Sequence, residues 1–190
     1  AKGVARVFTK HNMLWSASGI RATSINREVI DYFKEHNCSF IQFGIETGSQ
    51  MMLDVMEKKL NIKTVEERLN DCFENKMYPP VSLLLGMPGE TNETVVETAH
   101  FVSRICSMMK VTPETLLKYS GLDVFYAVAL PGTPLYDWAK ITGKYGTTLD
   151  ELEDYLLSVS NIGAYKRYYY NFSGASMSDV IFWDILIKVE

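Results

Sequence analysis

The stretch VSLLLGMPGETNETVVETAHFVSRICSMM, residues 81–109, decides the fold. It opens with VSLLLG (81–86), a continuous apolar run ending in glycine, which reads as a strand covered on both faces. A short loop follows. From Asn92 to Met109, the residues Val95, Ala99, Val102, Cys106 and Met109 recur in helical register. Strand, glycine turn and helix in that order make one unit of parallel α/β architecture. The unit recurs weakly along the chain. Gly48 precedes Gly89 by 41 residues, and Gly89 precedes Gly132 by 43. Each lies in a similar context: GIETGSQ (44–50), GMPGET (86–91) and ALPGTP (129–134).

Upstream of that stretch, residues 3–11 read as a short helix or its tail, and 13–19 as a strand. Residues 26–36 carry Val29, Ile30 and Phe33 on one helical face, and Asn37 is a plausible C-cap because asparagine tolerates the left-handed conformation. Residues 39–45 form a strand. Thr64 to Glu67 fits a capping box ahead of the stripe Val65, Leu69, Cys72 and Phe73. Pro79 and Pro80 then break the chain.

Downstream, residues 122–130 read as a buried strand. Thr133 and Pro134 are N-cap and first helical residue. Thr148 and Glu151 form a second capping box before Leu149, Leu152, Leu156 and Val159. Residues 177–189 are apolar on nearly all sides and are expected to be buried or paired. The pattern predicts an α/β fold with about four parallel strands and flanking helices.

Composition narrows the function. The chain has 190 residues, 19 basic and 23 acidic, for a net charge of −4, with 47% hydrophobic and 22% charged residues. This excludes disorder and a strongly basic nucleic-acid binder. No apolar run reaches membrane-spanning length and no charged-then-apolar leader opens the chain. Cys38, Cys72 and Cys106 are too dispersed for a ligand cluster and read as reduced thiols of a cytoplasmic protein.

In parallel α/β folds, functional groups gather at the carboxyl ends of strands. Four places qualify: Arg21, Glu46, Gly86 to Glu90, and Leu130 to Thr133. Glycines there let a ligand approach the backbone, and the following helix starts offer free N–H groups. The plain alternative is tight βα turns, with Arg21 and Glu46 in structural ion pairs.

Four motifs break that tie: WSASGIRATSI (15–25), FGIETGSQ (43–50), LGMPGET (85–91) and LPGTPLY (130–136). In this order they resemble the radical S-adenosylmethionine superfamily, in particular the branch that often carries a cobalamin-binding domain. Within that branch the chain is similar to anaerobic magnesium-protoporphyrin monomethyl ester oxidative cyclases. The resemblance implies the C-terminal part of a partial parallel (β/α) TIM-like barrel, its third to sixth strands, in residues 1–145. A helical extension, 146–190, would follow. It implies that Glu46 and Ser49 lie near the ribose or amino acid portion of S-adenosylmethionine. Arg21 would face the cofactor's carboxylate or the substrate. Leu85 and Gly86 would pack on the adenosine, and backbone groups of Leu130 and Pro131 would read the adenine.

The resemblance also implies a [4Fe-4S] cluster on a CxxxCxxC loop, and cobalamin where that branch uses it. The loop is absent from these 190 residues, and the three cysteines cannot replace it. The expectation is therefore a fragment of a longer enzyme, unable alone to cleave S-adenosylmethionine. Its partners would be a small-molecule substrate and a preceding part of the same protein, with no nucleic acid and no membrane. Its first strand, 13–19, would be an exposed edge prone to self-association. The competing expectation is a non-catalytic α/β binding or interaction module on the same fold.

The remaining features read as structural. His11, His36 and His100 have no metal-type spacing, and His36 near a helix end suits the helix dipole. Most methionines read as core, although Met51, Met52 and Met56 are candidates for a pocket wall. Tyr165 to Phe172, with Lys166 and Arg167 among aromatics, reads as a packed or substrate-facing segment.

Overall fold

The computed structural model describes residues 2–109, 121–160 and 171–189. Most of the tyrosine-rich segment, 165–170, lies outside the described residues. Among those described, the order is α1 (Lys2–Lys10), β1 (Trp15–Ile20), α2 (Arg27–Glu35), β2 (Cys38–Glu46), α3 (Gln50–Val55), α4 (Ile62–Glu74), β3 (Val81–Leu85), α5 (Asn92–Met109), β4 (Leu122–Tyr126), α6 (Pro134–Ile141), α7 (Leu149–Ser160) and α8 (Met177–Val189), with one 3-10 turn at Ala22–Ser24.

The four strands form one parallel sheet in sequential order, β1-β2-β3-β4. Sequential order with helical crossovers is the arrangement of a barrel wall, because each unit adds its strand beside the last. One face of the sheet carries Ile41, Phe43, Ile45, Val81, Leu83 and Leu85, all buried against the helices. The other carries Gln42, Ser82 and Leu84, which are half-buried, and Asp123, which is exposed. The apolar run at 81–86 is thus buried on one face and only half-buried on the other, where Leu84 packs against apolar residues beyond β4. Ser82, the polar residue in the run, lies on that second face.

The helix ends follow their local chemistry. Asn26 Oδ1 accepts from the Val29 amide at 3.1 Å. Asn37 sits at φ +64°, just beyond the C-cap His36, as an asparagine allows. His36 Nδ1 lies 2.8 Å from the Tyr32 carbonyl in the last turn of α2. Thr133 caps α6, and Thr148 with Glu151 makes the reciprocal box that starts α7.

Three expectations are corrected. Helix α4 starts at Ile62 and is capped by Asn61, whose Oδ1 accepts from the Lys63 amide at 2.9 Å. Thr64 lies inside the first turn. Asparagine is the stronger N-cap, and Gln50 Oε1 takes the Ile62 amide. Helix α3 follows the glycine turn at Gly48, where the repeated unit implies a helix without fixing its bounds. Strand β4 ends at Tyr126, short of residue 130. Helix α8 buries Val180, Trp183 and Ile187, whereas Phe182, Ile185 and Val189 are exposed.

Two apolar clusters result. The larger joins the sheet to α2, α4, α5 and α8. The smaller gathers Ala127, Ala129, Ala139, Tyr145, Tyr155 and Phe172 beyond the end of β4. Among the described residues, no helix is long and apolar enough to cross a membrane.

Candidate functional site

Strand β2 ends on Glu46, a non-glycine residue held at φ +71°. That conformation costs on the order of 1 kcal/mol or more and persists only where the surroundings impose it. They do so through α5. The Thr98 hydroxyl accepts from the Gly48 amide at 3.1 Å, lies 3.0 Å from the Thr47 hydroxyl and donates to the Thr94 carbonyl at 3.0 Å. Thr47 Oγ1 accepts from the Ser49 amide at 3.1 Å, and the Ser49 hydroxyl donates to Glu97. Gly48 is required for this closeness. A Cβ there would overlap Phe101 Cβ and lie 2.8 Å from Thr98 Cα. So clamped, the loop presents the Glu46 carboxylate, which accepts from Lys58 Nζ at 2.8 Å.

The loop after β3 turns on two glycines, Gly86 at φ +85° and Gly89 at φ +83°. Glu90 folds back beneath it. The Gly86 amide donates to Glu90 Oε2 at 2.6 Å, and the residue is 5% exposed. Burial outweighs the hydrogen bonds from the Gly86 and Met87 amides and pushes this carboxyl up to about 7. Thr91 and Thr94 exchange amide-to-hydroxyl bonds at the start of α5.

Beyond β4, the Ala127 amide still donates to the Leu85 carbonyl at 2.8 Å. At Ala129 the backbone is satisfied by one side chain. The buried Tyr155 hydroxyl donates to its carbonyl at 2.6 Å and accepts from its amide at 2.9 Å. The Leu130 carbonyl accepts from Thr133 Oγ1 at 2.7 Å.

These three strand ends border a cavity of about 610 Å³. Its walls are Glu46, Met56 and Lys58 on one side, Leu84, Met87 and Pro88 on the second, and Thr133, Leu135 and Trp138 on the third. The lining is mainly apolar; its charged groups are the Glu46–Lys58 pair and Glu57, which is exposed to solvent. Such a chamber suits a ligand with a flat apolar part and a few hydrogen-bonding groups.

Of the seven residues named from the sequence, Glu46 lines this cavity. Ser49 is fully buried, with its hydroxyl engaged by Glu97. Leu85 points into the helix-covered core, and its neighbour Leu84 faces the cavity. Gly86 supplies a positive-φ turn and the amide for Glu90. Leu130 and Pro131 are exposed on the loop before α6. Arg21 is exposed and makes no ion pair with a described residue; Glu46 pairs with Lys58 instead. Lys58 and Trp138 were missed, because neither lies in a glycine motif. Met56 lines the wall, while Met52 is core and Met51 is largely exposed.

Among the described residues, no group of His, Cys, Asp or Glu could hold a metal ion. Burial pushes the Cys72 thiol up to about 12 and raises those of Cys38 and Cys106. The thiols present do not fit an iron–sulfur cluster, which requires thiolates.

The model of the Radical SAM superfamily matches residues 6–102, just over half of the chain. The chain is 26% identical over 125 residues to an uncharacterized methyltransferase of Pyrococcus horikoshii, covering 66% of this chain and 24% of that one. It is 31% identical over 84 residues to the ribosomal protein uS12 methylthiotransferase of Endomicrobium trichonymphae, covering 43% and 19%. It is 28% identical over 123 residues to the threonylcarbamoyladenosine tRNA methylthiotransferase of Bacillus subtilis, covering 62% and 24%. The aligned part of the chain spans about a quarter or less of these curated relatives.

Proposed function

Because the chain belongs to the radical SAM superfamily, we propose that the cavity at the ends of β2, β3 and β4 is the adenosine end of an S-adenosylmethionine site. The observation that carries this reading is the position of Glu46, a carboxylate on the wall of an otherwise mainly apolar chamber at the strand ends. A carboxylate accepts well from a pair of ribose hydroxyls, and it can do so here in exchange for Lys58. Leu84, Met87 and Trp138 supply apolar surface for a base.

Other residues take revised roles. Ser49 positions the loop that carries Glu46 and does not touch ligand. Leu85 and Gly86 act by fixing the β3 end. Pro131 offers a carbonyl and no N–H, so any backbone donor to adenine belongs to a neighbour. Arg21, exposed beyond β1, is assigned to a carboxylate of cofactor or substrate. Residues 1–145 are assigned to the barrel portion and 146–190 to a helical extension.

The superfamily implies S-adenosylmethionine and a [4Fe-4S] cluster. The described residues do not fit the cluster, so the whole enzyme would hold it elsewhere. The names of the matched relatives favour methyl or methylthio transfer over oxidative cyclisation. The cobalamin branch rests on motif resemblance alone.

The test is anaerobic reconstitution of a full-length protein containing this chain, with 5′-deoxyadenosine measured after addition of reductant and S-adenosylmethionine. We expect product, and a weakening of S-adenosylmethionine use by roughly 10-fold or more in Glu46→Ala, as for loss of a charge-assisted hydrogen bond. A reconstituted cluster without 5′-deoxyadenosine would favour the non-catalytic binding module.

A further inference from the structure

Glu90 is a buried acid that the proposed adenosine contacts do not use. It lies beneath the loop whose Met87 and Pro88 form the second wall of the cavity. Among the described residues its carboxyl receives backbone N–H groups and no cation. A carboxylate in that position carries an uncompensated buried charge, whereas the neutral acid does not.

Of the charged groups nearby, Glu57 on the first cavity wall is exposed to solvent. Glu93, on the first turn of α5, is exposed and bonded to Thr91. Glu46 and Lys58, across the cavity, pair with each other. Among the described residues none of them acts on the Glu90 carboxyl, which responds to burial and to backbone amides. The loop also has the means to move. Gly86 and Gly89, both at positive φ, flank the two wall residues.

We infer that Glu90 is the positioning residue for the Met87–Pro88 wall: as the neutral acid it stays folded under the loop and holds the wall closed, and on ionising it leaves and frees the wall. The consequence is a ligand cavity whose second wall tightens in mildly acidic solution and loosens in alkali. This rests on the geometry of the loop and does not require the adenosine reading.

The test uses the intact chain with ¹³C-methyl methionine and no ligand, so its outcome is separate from that of the adenosine site. The Met87 methyl resonance, assigned with Met87→Leu, should titrate with a midpoint near the Glu90 value of about 7. The core residue Met52 should not follow it. In Glu90→Gln, which keeps an acceptor for the Gly86 amide, the Met87 titration should vanish. Persistence of that titration in Glu90→Gln, or a flat Met87 signal in the parent chain, overturns the inference. If Glu90→Gln does not fold, the ¹³C carboxyl signal of Glu90 in the parent chain replaces it. A shared midpoint with Met87 supports the coupling, and separate midpoints overturn it.

Discussion

Single residues at the strand ends carry much of the fold's strain and burial cost. Gly48 is the sharpest case, because α5 leaves no room for a Cβ. Gly48→Ala should destabilise the chain by about 3 kcal/mol, as overpacking does. Thermal denaturation would show a melting temperature lower by roughly 6–12 °C for a domain of this size.

Glu90 sets a pH dependence whose sign follows from its shift. The unfolded carboxyl titrates near 4.5 and the folded one near 7. The folded state therefore binds more protons between these values. The contribution is full below the lower value and is lost as pH rises through the upper one. The loss is on the order of 3 kcal/mol. Urea denaturation at a series of pH values should show this slope in the parent chain and not in Glu90→Gln.

At the same scale, Cys72 should resist a thiol reagent at pH 8 until the chain is unfolded, since its thiol is buried and pushed up to about 12. Cys106, half-buried, should react first.

The elements were largely legible because their signals are local. The capping residues Thr133 and Thr148 act within three positions of themselves, so the starts of α6 and α7 could be read directly. The helix Asn92–Met109 declared itself by a long apolar register. The start of α4 was misplaced because two adjacent signals competed, Asn61 and Thr64, and tertiary contact through Gln50 decided between them. The end of β4 was invisible for a similar reason. Residues 127–129 are apolar like the strand before them, but Ala129 is satisfied by Tyr155, 26 positions away in the chain. Tyr155→Phe should therefore leave two buried backbone groups unpaired and cost about 1–3 kcal/mol, readable by chemical denaturation. Glu46 was legible as a site residue from the glycine motif around it. Lys58 and Trp138 reach the cavity only through folding, and no motif marks them.

For the whole molecule, sequential parallel order leaves β1 at one edge of the sheet. Met13 and Leu14 beside it are exposed, as are Ser16 and Ser18 on the strand. An unprotected parallel edge invites pairing. The chain should self-associate in size-exclusion chromatography with light scattering, and Ser16→Lys with Ser18→Lys should shift it toward monomer. A clean monomer at high concentration would count against this edge as a contact.

The same architecture explains why one sheet face is apolar and the other mixed. Helices α2, α4, α5 and α8 cover the first. The second bears Gln42, Ser82 and Asp123, consistent with a wall that faces ligand. The central claim is that the chamber beneath Glu46 receives the adenosine end of S-adenosylmethionine. Its most direct test is a titration of the ¹⁵N-labelled chain with S-adenosylhomocysteine at millimolar concentration, following amide shifts. Weak, saturable shifts are expected, concentrated at Glu46 to Lys58, Leu84 to Met87 and Thr133 to Trp138 and lost in Glu46→Ala. Shifts confined to other surfaces, or none at saturating ligand, would contradict it.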